Sequence, residues 1–138
     1  MCGIVGYNGT KLATNLLLEG LAALEYRGYD SAGVALVEQE KLVELKSVGR
    51  VGQLTQLTYK VPHKATAGIG HTRWATHGEV TLANSHPHSS ADKTFSVVHN
   101  GIIENHHELR LFLEEEGFVV QSHTDSEVIP HLLQYHFK

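Results

Sequence analysis

Leu12, Ala13, Leu16, Leu17, Leu21 and Leu24 recur three or four residues apart, so Lys11 to Arg27 predicts a helix with one buried stripe. Gly28 is its expected stop. Before it, Cys2 to Tyr7 is a short run of β-branched residues and glycine that predicts a buried strand. After it, Ala32–Val37 and Lys41–Val48 predict two strands of a hairpin turning at Glu38-Gln39-Glu40. Thr66–Trp74 and Thr94–Asn100 predict further strands, each running into a polar loop, with an irregular His-, Ser- and Asn-rich stretch from Ala75 to Lys93 between them. Asn105 is placed to cap a helix through Glu116, with Leu109, Phe112 and Leu113 inward and Gly117 ending it. "FVVQ" (118–121) predicts one more short strand. Thr124 and Glu127 have the spacing of a capping box that would open a last helix. Pro130 would cost that helix about 3 kcal/mol in its interior. The helix therefore kinks there or begins near Pro130, leaving Asp125 in a loop. Strands alternating with helices and hairpin-type pairings give an α+β class, a sheet covered by helices. The pattern breaks off at "HLLQYHFK" with no terminating signal, so a partial domain is expected.

Composition narrows the setting without changing that picture. The 138 residues are 41% hydrophobic and 19% charged, ordinary for a soluble domain. A net charge of −4 and the lack of a Lys/Arg cluster argue against nucleic acid. The Leu16-Leu17-Leu18 run is far too short for a bilayer, and the N-terminus lacks the basic and apolar regions of a signal peptide. A single cysteine cannot form an intrachain disulfide, which fits a reducing cytoplasm.

That cysteine, Cys2, stands directly behind the start methionine, where chain ends tend to fray. Methionine is commonly removed before small residues, and removal would give Cys2 a free α-amine of pKa about 7.7–8.0. One residue would then carry both nucleophile and base. A thiol buried on a first strand is the alternative. Acyl transfer also needs an oxyanion hole. Asn100 could supply a side-chain N–H and Gly101 a backbone N–H, although Asn-Gly is equally a turn dipeptide. Arg73 has the planar fork that suits a carboxylate. Asp125 could hold an ammonium, or serve as a first-turn helix acid.

Taken together, "MCGIVGY", "LEYRGYDSAG", "GHTRWATHG", "HPH", "VVHNGIIEN" and "TDSEV" resemble, in this order, the glutaminase domain of class II glutamine amidotransferases. The similarity runs from Met1 to the last residue and is narrower to the members that aminate fructose 6-phosphate. It implies the N-terminal-nucleophile αββα sandwich, here incomplete at the C-terminal end, with residues 1–138 a partial glutaminase domain and the sugar isomerase domain absent. It implies Cys2 as the nucleophile on L-glutamine, and Asn100 and Gly101 as the oxyanion hole. Arg73 would bind the glutamine carboxylate and Asp125 its amino group. Trp74, Thr76 and His77 would belong to a loop closing over glutamine, with Trp74 gating ammonia. His86 lies in the matching "HPH" stretch. No cofactor or metal is expected. Fructose 6-phosphate would be reached only through the absent domain, and homo-oligomerisation is left open.

Two other readings compete. The eleven histidines suggest a metal-binding module through His86 and His88, His106 and His107, or His131 and His136. None has the i, i+4 pair with a catalytic Glu of a zinc hydrolase, and adjacent His106 and His107 cannot face one way on a helix. The second reading is an inactive fragment of an aminotransferase, suggested by the abrupt end.

Overall fold

A computed structural model describes residues 2–74 and 79–137. In chain order the elements are β1 (Gly3–Asn8), α1 (Ala13–Ala23), a 3-10 turn (Glu25–Arg27), β2 (Ser31–Glu38), β3 (Lys41–Val48), α2 (Val51–Lys60), β4 (Ala67–Arg73), β5 (His88–Ser89), β6 (Ser96–Val97), α3 (His106–Glu115) and α4 (Val128–Phe137). The first four long strands form one antiparallel sheet in the order β1-β4-β2-β3, and β5 with β6 forms a small second one. The hairpin predicted at Glu38-Gln39-Glu40 closes as a two-residue turn, with Gln39 and Glu40 both at positive φ.

Strand alternation divides the large sheet into two unlike faces. Ala32, Val34 and Leu36 of β2 point to α1 and α2 and pack with Leu17, Leu18, Leu21, Val51 and Leu54 into the main core. The register places Ser31 opposite Arg73, Gly33 opposite His71 and Ala35 opposite Ile69, so these six residues share the other face. That face is covered by the segment running through β5 and β6. At Gly33 the backbones come so close that a Cβ would fall well inside van der Waals contact with the His86 carbonyl oxygen, which makes glycine obligatory there. Ser89 of β5 hydrogen-bonds Glu44 of β3 across the gap. Behind the small sheet, α4 packs on β5 and β6 and α3 packs on α4. The layers run helix, sheet, sheet, helix.

Several boundaries differ from the sequence expectations for local reasons. The first helix ends at Ala23, and a 3-10 turn carries the chain to Arg27. The strand expected over Thr94–Asn100 narrows to Ser96–Val97, and residues 118–121 form no strand. There, the Gln121 and Ser122 N–H groups donate to the Glu127 carboxylate rather than to a neighbouring strand. The same contact undoes the capping box: Glu127 is turned to Gln121, Ser122 and His131, while the Thr124 hydroxyl pairs with His88 at 2.8 Å. The last helix starts at Val128, with Pro130 in its first turn, where its missing N–H costs little. Asp125 is therefore in the preceding loop, as one of the two expectations had it. The Gly117 stop holds: its φ is 93°, and the Phe118 N–H returns to the Leu113 carbonyl at 2.9 Å, closing a Schellman motif. Asn105 does precede α3, but its side chain makes no capping hydrogen bond.

Candidate active site

Cys2 lies just before β1, whose antiparallel pairing with β4 brings it to the far end of that strand. The Trp74 N–H points to the Cys2 Sγ at 3.4 Å. The thiol is a free cysteine and partly exposed. It opens on a cavity of about 360 Å³ whose walls include Arg73, Trp74, His86, Asn100, Gly101 and Asp125. That volume lies within the range of about 300–1,000 Å³ typical of small-ligand sites. Residues 98 positions apart meet at its base, where the Asn100 Nδ2 donates to the Cys2 carbonyl at 3.0 Å.

The two charged candidates are held differently. Arg73 ends β4 on the site face of the sheet, is only 4% exposed, and donates from Nη1 to the Glu79 carbonyl at 3.0 Å. Asp125 is 8% exposed and sits in the loop before α4. Its Oδ2 accepts the Ile103 N–H at 2.7 Å, tying it to the loop that follows Asn100 and Gly101. Its Oδ1 faces the Ser126 hydroxyl at 3.4 Å, and that hydroxyl in turn meets the His99 Nδ1 at 3.0 Å. Trp74 stands half-exposed among the cavity-lining residues, edge-on to Tyr29 with ring centroids 5.6 Å apart. The Arg50 guanidinium lies over the Tyr29 ring at 4.6 Å.

Under the cavity lies a buried histidine stack. His86 lies almost parallel to His71 at 4.0 Å and tilted against His88 at 4.6 Å. Burial disfavours the charged form of all three. It pushes His71 down to about 4 against the help of its hydrogen bonds. It pushes His88 down to about 3, with Lys46 adding to the effect. His86 falls still further below the usual imidazole range, through burial first and then the neighbouring His71, His88 and Arg73. Near neutral pH the floor of the site is thus uncharged. Glu127, at the edge of this layer, goes the other way. Burial raises it, but hydrogen bonds from His131, Ser122 and Gln121 outweigh that and hold it down at about 2.

Of the nine residues singled out in the sequence, seven line this one cavity: Cys2, Arg73, Trp74, His86, Asn100, Gly101 and Asp125. Thr76 and His77 lie outside the described residues. Sequence reading passed over His71, whose Nε2 meets the Asn100 Oδ1 at 2.9 Å, and also His99 and Ser126. His71 stands two residues before Arg73 on a strand, so strand alternation alone puts it on the Arg73 face. Among the described residues, no group of three or more His, Cys, Asp or Glu could hold a metal ion, and no helix is long and apolar enough to cross a membrane.

The fold is that of the class II glutamine amidotransferases, and the chain is similar to them in sequence. Residues 71–138 match the family model of the glutamine amidotransferase domain. The solved glutamine phosphoribosylpyrophosphate amidotransferase from B. subtilis, complexed with ADP and GMP, superposes with a TM-score of 0.80. It is 29% identical over 97% of this chain and 29% of that one. Higher similarity is to a particular enzyme, glutamine–fructose-6-phosphate aminotransferase (isomerizing). That of Clostridium perfringens is 55% identical over 138 residues, and that of Aquifex aeolicus 52%. Both alignments cover 100% of this chain and 23% of the relative, so the chain spans about a quarter of the length of the curated relatives it matches.

Proposed function

We propose that the chain hydrolyses the side-chain amide of L-glutamine as part of a glutaminase domain. The observation that carries this reading is the meeting of Cys2, Arg73, Asn100, Gly101 and Asp125 on one cavity. Arg73 takes the glutamine α-carboxylate and Asp125 the α-ammonium, which aims the carboxamide at the thiol. Once Met1 is lost, the Cys2 α-amine accepts the thiol proton and the sulfur adds to the carboxamide carbon. The oxygen that becomes negative is held by an Asn100 side-chain N–H and the Gly101 backbone N–H. The amine returns its proton to the leaving nitrogen, ammonia departs, and a glutamyl thioester remains. Water then cleaves the thioester, giving glutamate and restoring the thiol.

Trp74, Thr76 and His77 form the segment that closes over glutamine, with Trp74 at the exit for ammonia. His86 supports the floor. In the longer protein the ammonia aminates fructose 6-phosphate to glucosamine 6-phosphate, a reaction whose sugar site lies outside these 138 residues. A cytoplasmic setting suits a free catalytic thiol. The names of the relatives and the superposition with an amidotransferase support this reading.

The test is the intact mass of the purified chain before and after 6-diazo-5-oxo-norleucine, an electrophilic glutamine analogue. Loss of Met1 with one adduct, blocked by excess glutamine and absent in Cys2→Ser, is the expected result. Loss of Met1 without an adduct sinks the reading for this chain and leaves it an inactive piece of an aminotransferase.

A further inference from the structure

The amide of Asn100 can be oriented without reference to any ligand. Its Nδ2 lies 3.0 Å from the Cys2 carbonyl oxygen, which can only accept a hydrogen bond. The Oδ1 on the other arm lies 2.9 Å from the His71 Nε2 and must accept there. The imidazole therefore carries its hydrogen on Nε2 and leaves Nδ1 bare. The ring's other hydrogen-bonding neighbour is the backbone of His99, next to Asn100, and the His71 Nδ1 is buried with no hydrogen-bond partner among the described residues. A bare nitrogen is less costly in that position than an N–H with nothing to receive it. The ring cannot easily turn to exchange its nitrogens. It is 1% exposed, and His86 lies flat against it at 4.0 Å with 15° between the planes.

A primary amide has two N–H bonds, and Cys2 occupies one. With Oδ1 held by His71, the second is left for the cavity that Asn100 lines. Were the amide flipped, an oxygen would face both the Cys2 carbonyl and the developing negative charge. We propose that His71 is a positioning residue: its Nε2–H grips Oδ1 of Asn100 and so keeps an amide N–H aimed at the oxyanion formed when the Cys2 thiol adds to a carboxamide. The catalytic part of this inference rests on the glutaminase reading, but the orientation of the His71–Asn100 pair does not.

The first test is long-range proton–nitrogen NMR on the chain labelled with ¹⁵N-histidine at pH 7, with the His71 signals assigned by their loss in His71→Gln. The expected result is a neutral ring protonated at Nε2. A ring protonated at Nδ1, or at both nitrogens, overturns the proposal whether or not the chain is active. The second test compares binding of glutamate γ-semialdehyde, which forms a thiohemiacetal oxyanion on a thiol, with binding of L-glutamate, whose γ-carboxylate is not electrophilic and forms no adduct. In His71→Leu the aldehyde should weaken on the order of 10²-fold while glutamate changes little, as misplacement of one group predicts. His71→Gln, which returns an N–H donor near the same place, should recover most of the loss. Equal weakening of both ligands, or no weakening of the aldehyde, overturns the proposal and makes His71 a packing residue. Failure of the unaltered chain to bind the aldehyde refutes the glutaminase reading instead, and the NMR result then decides the fate of the His71–Asn100 pair.

Discussion

The two faces of one sheet are built from alternate residues of the same strands and differ in almost every respect. Toward α1 and α2, β2 presents Ala32, Val34 and Leu36, all nearly fully buried among leucines. Toward the segment running through β5 and β6 the same strand presents Ser31, Gly33 and Ala35, and its neighbour β4 presents Ile69, His71 and Arg73. The helix face gains its stability from non-directional apolar burial, which tolerates repacking. The site face is polar and close-fitting and depends on individual hydrogen bonds, where a single lost partner leaves a buried group unsatisfied. A strand buried on both sides can therefore hold a reactive layer rigidly, because the opposite layer supplies the cohesion.

The contrast can be broken from either side. Leu21→Ala on the helix face should destabilise by about 2–5 kcal/mol, read by denaturant unfolding, because Leu21 is fully buried and its loss leaves a cavity. The folded fraction should keep its reactivity toward the glutamine analogue. Asn100→Ala should act mainly on the chemistry, lowering glutamine turnover by about 10²–10³-fold, and should cost only about 1–3 kcal/mol through the His71 Nε2–H it leaves unpaired. Gly33→Ala acts on both layers, forcing the His86 carbonyl away from β2. It should cost about 1–3 kcal/mol by overpacking and also weaken the histidine stack.

The smallest effect per group is acid sensitivity, and it sharpens the comparison. His71 and His88 have folded values lowered to about 4 and about 3, and His86 is lowered as well. Below an unfolded value of about 6.5 the unfolded chain binds protons that the folded chain refuses. Stability is thus complete above that pH and should fall by up to about 1.4 kcal/mol per histidine for each unit below it, until the folded groups themselves titrate. Melting followed from pH 7 to 5 should show this decline, and His86→Leu should flatten it if the variant folds.

Much of this was legible in the chain because it depends on local pattern. The first-helix stripe, the β2–β3 hairpin, the Gly117 stop and seven cavity residues are all written in short stretches. What escaped depends on distant partners. Helix α2 has its apolar positions at Val51, Leu54 and Leu57, but its first N–H is satisfied by Glu25, 26 residues earlier. Glu127 has the sequence of a helix cap, yet the tertiary fold turns it to Gln121 and Ser122. His71 becomes meaningful only when β4 and the Asn100 loop are brought together, and nothing in "GHTRW" by itself names that partner.

The pairing of β1 with β4 also sets a clock. Gly3 must wait for Thr72, 69 positions downstream, to receive its N–H in the Thr72 hydroxyl. At roughly 5–20 residues per second, that partner leaves the ribosome about 3–14 s after the strand that needs it. For those seconds the start of the chain has no strand to pair with and stays open to solvent. The topology that later seats Cys2 on the cavity is the one that first leaves it accessible.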